Sequence, residues 1–222
     1  MDIGSSFTYM FEDESWIKKI LIGGIVSLVP IVNFAALGYM VEVIRNVRDG
    51  RPTPLPEWDQ FGQMWMSGLW LFVIFLVYSI PIIILACISG IASAAMGTAM
   101  DTASADVAGG AMGIVSICLS CLMGLWGLVI GVLTPAIMIR FAETGQFSSA
   151  LQFGEIFSIV KVNVGIYLIV LVLCGVAVYI IGPLGTIACV VGIIFTYFYA
   201  YLVAGNLLGQ LATEIRGAVA SA

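Results

Sequence analysis

The chain has 222 residues; 61% are hydrophobic, 9% are charged and none is histidine. A soluble domain carries about 25% charged and 45–50% apolar residues, so a globule of this composition has too little polar surface to stay in water. That excludes an ordinary soluble enzyme, a disordered chain and a nucleic-acid binder, which needs a basic face, and leaves an integral membrane protein.

Residues 1–16 hold Asp2, Glu12, Asp13 and Glu14 but no Lys or Arg. They lack the basic start of a signal peptide, so none is expected. Phe7, Phe11 and Trp16 suit a segment lying on the membrane surface. From Lys19 to Glu42 there is no charge, but Pro30 interrupts the run Leu28-Val29-Pro30-Ile31-Val32-Asn33. Residues 17–48 therefore read as a proline-broken helical hairpin or as a kinked fifth span.

Residues 49–63 are a Pro-rich loop, Arg51-Pro52-Thr53-Pro54-Leu55-Pro56-Glu57-Trp58, whose prolines enforce an extended backbone. Pro56 and Glu57 suit the first turn of a following helix. Either the loop docks a partner or it sets the angle at which the chain returns to the bilayer. A span needs roughly 20 apolar residues. Residues 64–96 supply one, its small and polar tail from Ser89 to Thr98 reading as a frayed end or interfacial loop. An outer loop at 97–110 and a span at 111–141 follow. After a loop at 142–161, the stretch from Lys161 to Glu214 is too long for one helix, and Gly182-Pro183-Leu184-Gly185 divides it. The result is spans at 162–181 and 184–212 and a tail at 213–222. The continuous apolar run Leu69–Val77 lacks the alternation of a β-barrel strand. The expected fold is all-α, with four full spans plus the N-terminal hairpin.

Basic residues in short loops mark the cytoplasmic side. Lys18 and Lys19, then Arg45, Arg48 and Arg51, then Arg140 and Lys161, and finally Arg216 alternate with the loop at Asp101 and Asp106 and the turn at Pro183, which carry none. The C-terminus is then cytoplasmic, and a hairpin at Pro30 puts Lys18 and Lys19 on that side too. Trp58 and Trp65 suit the headgroup level.

Part of the text recurs. Arg45-Asn46-Val47-Arg48-Asp49-Gly50 and Arg140-Phe141-Ala142-Glu143-Thr144-Gly145 share Arg and Gly at one spacing. Each precedes an aromatic helix start, Phe61-Gly62 or Phe153-Gly154, and three membrane exits end in Ile-Arg at 44–45, 139–140 and 215–216. Such a repeat occurs in transporters and in proteins that transport nothing.

Chemistry has little to work with. Cys118-Leu119-Ser120-Cys121 lies inside a span, and zinc would need further nitrogen or sulfur ligands. The spans hold no carboxylate, histidine or lysine with which to build an intramembrane hydrolase or a proton relay. The intramembrane polar candidates are Asn33, Thr134, Asn163, Asn206 and Gln210, and an amide there more often bridges helices than binds a ligand. No enzyme activity, cofactor or metal is expected. The expected partners are the bilayer and either a protein at the cytoplasmic loops or a second copy of the chain. A non-enzymatic scaffold or accessory subunit is the leading reading, and a passive permease or channel the alternative.

The combination Trp16-x-x-Lys19, Val29-Pro30-Ile31-Val32-Asn33, Gly38-Tyr39 and Leu55-Pro56-Glu57-Trp58, with Arg140-Phe141-Ala142-Glu143, Phe153-Gly154-Glu155 and Leu208-Gly209-Gln210-Leu211, resembles the prokaryotic membrane family called Domain of Unknown Function 4013. The resemblance spans roughly residues 7–216. It implies a multi-pass protein of a prokaryotic plasma membrane and brings no activity, cofactor or site residue with it.

Overall fold

The computed structural model describes residues 1–99 and 105–220, and every described element is helical. A short turn at Ser5–Thr8 and a 3-10 turn at Tyr9–Glu12 lead into α1 (Trp16–Leu28). α2 (Phe34–Arg48) follows after a break, then α3 (Phe61–Ala99) and α4 (Ala105–Thr144). α5 (Phe153–Val162) and α6 (Val164–Val176) are separated only by Asn163, and α7 (Cys189–Ala220) closes the chain. Among the described residues, four stretches are long and apolar enough to cross a membrane: Trp58–Ala94, Gly113–Thr144, Val164–Ile187 and Gly192–Ala218.

The chain forms two compact units. Residues 1–74 with 133–222 make one, and residues 75–132 make the other. In the smaller unit the Trp126 indole donates to the Tyr78 carbonyl at 3.0 Å, while Ile80, Ile84, Ile88, Ile117 and Leu125 are exposed. An apolar surface of that kind belongs in lipid rather than water.

The larger unit is built around α7. Leu202, Val203, Leu207, Leu208 and Leu211 on this helix are all buried. The N-terminal residues run along it backwards. Asp2 N donates to the Gln210 side-chain Oε1, Ser6 donates to Asn206, the Tyr9 hydroxyl donates to the Leu202 carbonyl, and Gly23 and Gly24 lie against Phe198 and Phe195. α2 runs forwards beside the same helix, with Met40 and Val43 against Gly205 and Ile44 and Val47 against Gly209. The two arms are therefore antiparallel about the break at 29–33. There Val29 is extended, and Ile31 takes φ 75°, a left-handed conformation unusual for a β-branched residue. Pro30 cannot donate to a helical ladder, so the break falls where the proline stands.

α2 also crosses α3 at very close range. A Cβ on Gly38 would lie 1.7 Å from the Met64 carbonyl oxygen, and one on Gly68 would lie 1.7 Å from that of Phe34. No side chain larger than hydrogen fits at either point, which is how small residues bring apolar helices together.

Some boundaries differ from those read in the sequence. The small, polar tail from Ser89 to Thr98 is helical, and so is most of the outer loop expected at 97–110, because α3 runs to Ala99 and α4 starts at Ala105. Ala and Ser do not break a helix, and Gly costs it only about 1 kcal/mol. Asp101 lies outside the described residues. The turn expected at Gly182–Gly185 is also helical. A π-helical turn at Ala177–Ile181 passes into a helical turn at Gly182–Leu184, then a 3-10 turn at Gly185–Ala188. Pro183 sits at the start of the short helical turn, where its missing N–H costs little.

Candidate functional site

Lys19 is the centre of the most highly charged part of the larger unit. It lies one turn into α1 and is only 4% exposed. Its Nζ donates to Asp13 Oδ2 at 2.7 Å and to the Leu55 carbonyl at 3.2 Å, and pairs with Glu57 at 2.7 Å. A buried ammonium is tolerated only when its donors are matched in this way. Burial by itself lowers the Lys19 pKa, but the hydrogen bonds it donates to Asp13 and Glu57 outweigh it and the net shift is upward. Burial likewise raises Asp13, yet the bonds from Lys19 and Ser15 hold its carboxyl below the usual range.

The cluster pins the Pro-rich loop. Leu55 is buried beneath it, Asn46 donates to the Pro54 carbonyl at 2.9 Å, and the Tyr39 hydroxyl donates to that of Pro56 at 2.8 Å. Trp58 stacks on Tyr39 with centroids 4.6 Å apart and on Phe198 at 6.1 Å, while its indole donates to the Lys19 carbonyl. The loop thus borders an open cleft of about 690 Å³. Glu12, Asp13, Glu14, Glu42, Glu57 and Asp59 line it against only two basic residues, Lys19 and Arg51.

Arginines gather at the end of α7. Arg45 donates to the Ala142 carbonyl at 2.8 Å and pairs with Glu42, and Arg48 pairs with Asp49 at 2.8 Å. The Arg48 bonds, with further help from Arg216, hold Asp49 below the usual carboxylate range. Arg216 lies 3.8 Å from Asp49 and 3.9 Å from Glu143. Arg140 meets Glu143 at 3.7 Å and Glu155 at 3.6 Å, while its buried Nε has no partner. Lys18, Arg51 and Lys161 are exposed.

The intramembrane amides fall into separate places. Asn206 is buried and accepts from Ser6 at 2.9 Å and from Gln210 at 2.8 Å. Gln210 also donates to the Asp2 carbonyl, so these two tie the N-terminal residues to α7. Asn163 caps α6 by accepting from Ile166 N. Thr134 sits beside Pro135 within α4. Asn33 is exposed at the break and lines a smaller cleft of about 340 Å³ with Tyr197 and Tyr201. Trp65 spans the same break, donating to the Ile31 carbonyl at 2.8 Å.

Sequence reading missed the Lys19 cluster as a unit, because Asp13, Lys19 and Glu57 come from three separate segments. The available signal was the pair Lys18-Lys19 in the first turn of a helix that carries no other charge. Ser6 and the crossing of Gly38 with Gly68 gave no such signal. Cys87, Cys118 and Cys121 are free and exposed on their helices, and no group of three carboxylates or thiols is placed to hold a metal among the described residues.

A family model described as "Protein of unknown function (DUF4013)" matches residues 22–191, most of the chain, and the chain belongs to that family. No curated protein and no solved structure matches it.

Proposed function

We propose that this member of the DUF4013 family is a non-enzymatic scaffold or accessory subunit of a prokaryotic plasma membrane. Its C-terminus and its loops at 49–63 and 142–161 face the cytoplasm, where they dock a protein partner. One observation carries the reading. The two amides of α7 that would best serve a solute path, buried Asn206 and half-buried Gln210, are consumed in bonds to Ser6 and Asp2. Polar groups committed to one another rigidify a structure, and here they support a charged face whose Pro-rich loop is held by Lys19, Asn46 and Tyr39.

The helix–glycine–loop unit is read as a duplication. Gly50 and Gly145, at matching places after α2 and α4, both take positive φ, 68° and 65°. A 3-10 turn follows each, at Trp58–Gln60 and Phe147–Leu151, before the aromatic helix start. A permease, built from this repeat or an oligomer, is favoured by one feature, the cleft where Asn33 faces Tyr197 and Tyr201.

Photo-crosslinkers placed at Asp59 and Gln146 in native membranes test the scaffold. The expected result is one reproducible protein adduct, lost when Arg51 is reversed to Glu. Absence of any adduct, together with solute flux through proteoliposomes that Asn33→Leu abolishes, would replace the scaffold by the permease.

A further inference from the structure

α5 has ten residues, about 15 Å of helix at 1.5 Å each, half of what a hydrocarbon core of about 30 Å requires. It stands immediately before α6, where the third apolar stretch begins at Val164. The two helices do not run on as one rod. Asn163 between them has φ −149° and ψ 81°, outside the helical range, and its side chain caps α6. Their anchoring on α4 agrees. Glu155 pairs with Arg140, and the Tyr167 hydroxyl accepts from Ala136 N. Positions 136 and 140 are one turn apart on α4, about 6 Å along its axis. Positions 155 and 167 would be about 18 Å apart on a continuous helix. α5 therefore turns away from the line of α6 instead of extending it.

The flanks of α5 differ in what they meet. At about 100° per residue, three of them follow one another around the helix. Ile156 and Ile159 are buried against the protein. Phe153 and Phe157, one turn apart on the next flank, are 51% and 47% exposed. Glu155 and Ser158 occupy the flank beyond and are exposed, and Lys161, also exposed, stands at the border between Phe157 and Ser158.

Exposed phenyl rings beside a flank that the protein already covers call for a second apolar medium. The same exposure continues past Asn163, at Val164, Leu168, Ile169 and Val172 of α6. Those residues belong to a stretch apolar enough to cross a membrane, so acyl chains surround them. Along the chain the phenylalanine flank leads directly into that lipid-facing surface. A lysine at its border reaches headgroup phosphates while its stem covers apolar surface.

We propose that α5 is an interfacial helix. It rests in the plane of the leaflet at which α6 enters, with Phe153 and Phe157 among the upper acyl chains, Lys161 at the phosphates, and Glu155 and Ser158 in water. The bilayer, and not a protein, covers its exposed apolar flank. The inference rests on the membrane reading alone and leaves the water-facing flank and the preceding loop to the partner proposed above.

Nitroxide labels on single cysteines, in full-length protein otherwise cleared of Cys87, Cys118, Cys121, Cys174 and Cys189, test it in vesicles of phosphatidylethanolamine and phosphatidylglycerol. Collision of each label with dissolved oxygen and with a water-soluble nickel chelate gives its depth. Phe153→Cys and Phe157→Cys should report one common depth, about 5–10 Å into the boundary of headgroups and acyl chains. Ser158→Cys should collide freely with nickel. A helix continuing α6 would separate labels 153 and 157 by one turn, about 6 Å, and such a difference overturns the proposal. Free access of nickel to label 157 would put the flank in water, and protection from both reagents would put a partner or a second copy there. Either result overturns it equally. Lys161→Cys, at an exposed site, stands in if a phenylalanine variant does not fold. Its label should lie at the phosphates, and a deeper or fully aqueous position counts against α5 in the interface. Leu168→Cys on α6 reads the membrane independently. Preference of that label for nickel over oxygen would refute the membrane reading itself rather than the place of α5.

Discussion

Replacing Lys19 by Met removes one ammonium and leaves its partners in place. Asp13, with its side chain 10% exposed, loses its bond to Nζ and is left as a half-desolvated carboxylate. Glu57 is 66% exposed and rehydrates at little cost. An exposed pair is worth about 0–1 kcal/mol and breaking a buried one costs about 3–5, so this intermediate case is expected to cost about 2–3 kcal/mol. For a chain of this length each kcal/mol moves Tm by about 2–4 °C, giving a fall of about 4–12 °C in detergent at a fixed scan rate. The pH dependence follows from the two shifts. The Asp13 pKa is depressed, so its contribution is present above the ordinary carboxylate value and is lost as pH falls through the folded one. The Lys19 pKa is raised, so its contribution is present below the ordinary lysine value and is lost as pH rises through the folded one. The gap between wild type and Lys19→Met should thus be flat from about pH 5 to 9 and close in acid. Combining Lys19→Met with Asp13→Asn should cost less than the sum of the two changes. A Tm within one or two degrees of wild type (about 0.5 kcal/mol or less), or strict additivity, would refute the cluster as the anchor of the loop.

Four further outcomes are expected. Gly38→Ala should lose monodisperse protein on size exclusion, because the added methyl meets the Met64 backbone, whereas Gly62→Ala, with nothing within 4 Å, should behave as wild type. Asn206→Leu should cost about 1–2 kcal/mol, read as a Tm shift, since Ser6 and Gln210 lose their shared acceptor. Gly50→Ala and Gly145→Ala should each cost about 1 kcal/mol by the same measurement, both positions having positive φ. Arg51→Cys and Asp101→Cys in the Cys-free protein should label from opposite sides of the membrane.

The sequence was most legible where one residue type forces one outcome. Pro30 placed the break, and the long apolar runs placed the helices. Boundaries were less legible because a helix does not stop where hydrophobicity does. α3 carries on through Ser89, Gly90 and Ser93 to Ala99, since nothing there breaks a ladder. The Lys19 cluster was illegible because pairing among residues 13, 19 and 57 is a property of the fold. Of the five intramembrane polar candidates, Asn206 and Gln210 bond to each other, while Asn163 caps α6. Asn206 and Gln210 stand four residues apart on one helix, and nothing in the sequence names Ser6 and Asp2 as their partners.

The scarcity of charge explains why the few charged residues matter to position. In water, Lys19 could sit anywhere on a helical surface at little cost. Beside a bilayer, an ammonium one turn into an apolar helix either drags the helix outward or needs acceptors brought to it. Asp13 and Glu57 are those acceptors, and bringing Glu57 in fixes Trp58 against Tyr39 and Phe198. One ion cluster therefore fastens α1 to the Pro-rich loop directly and to α7 through the stacked rings. Charge here fastens segments to one another, and the Lys19→Met protein tests that role by its stability and by how far the Pro-rich loop stays docked.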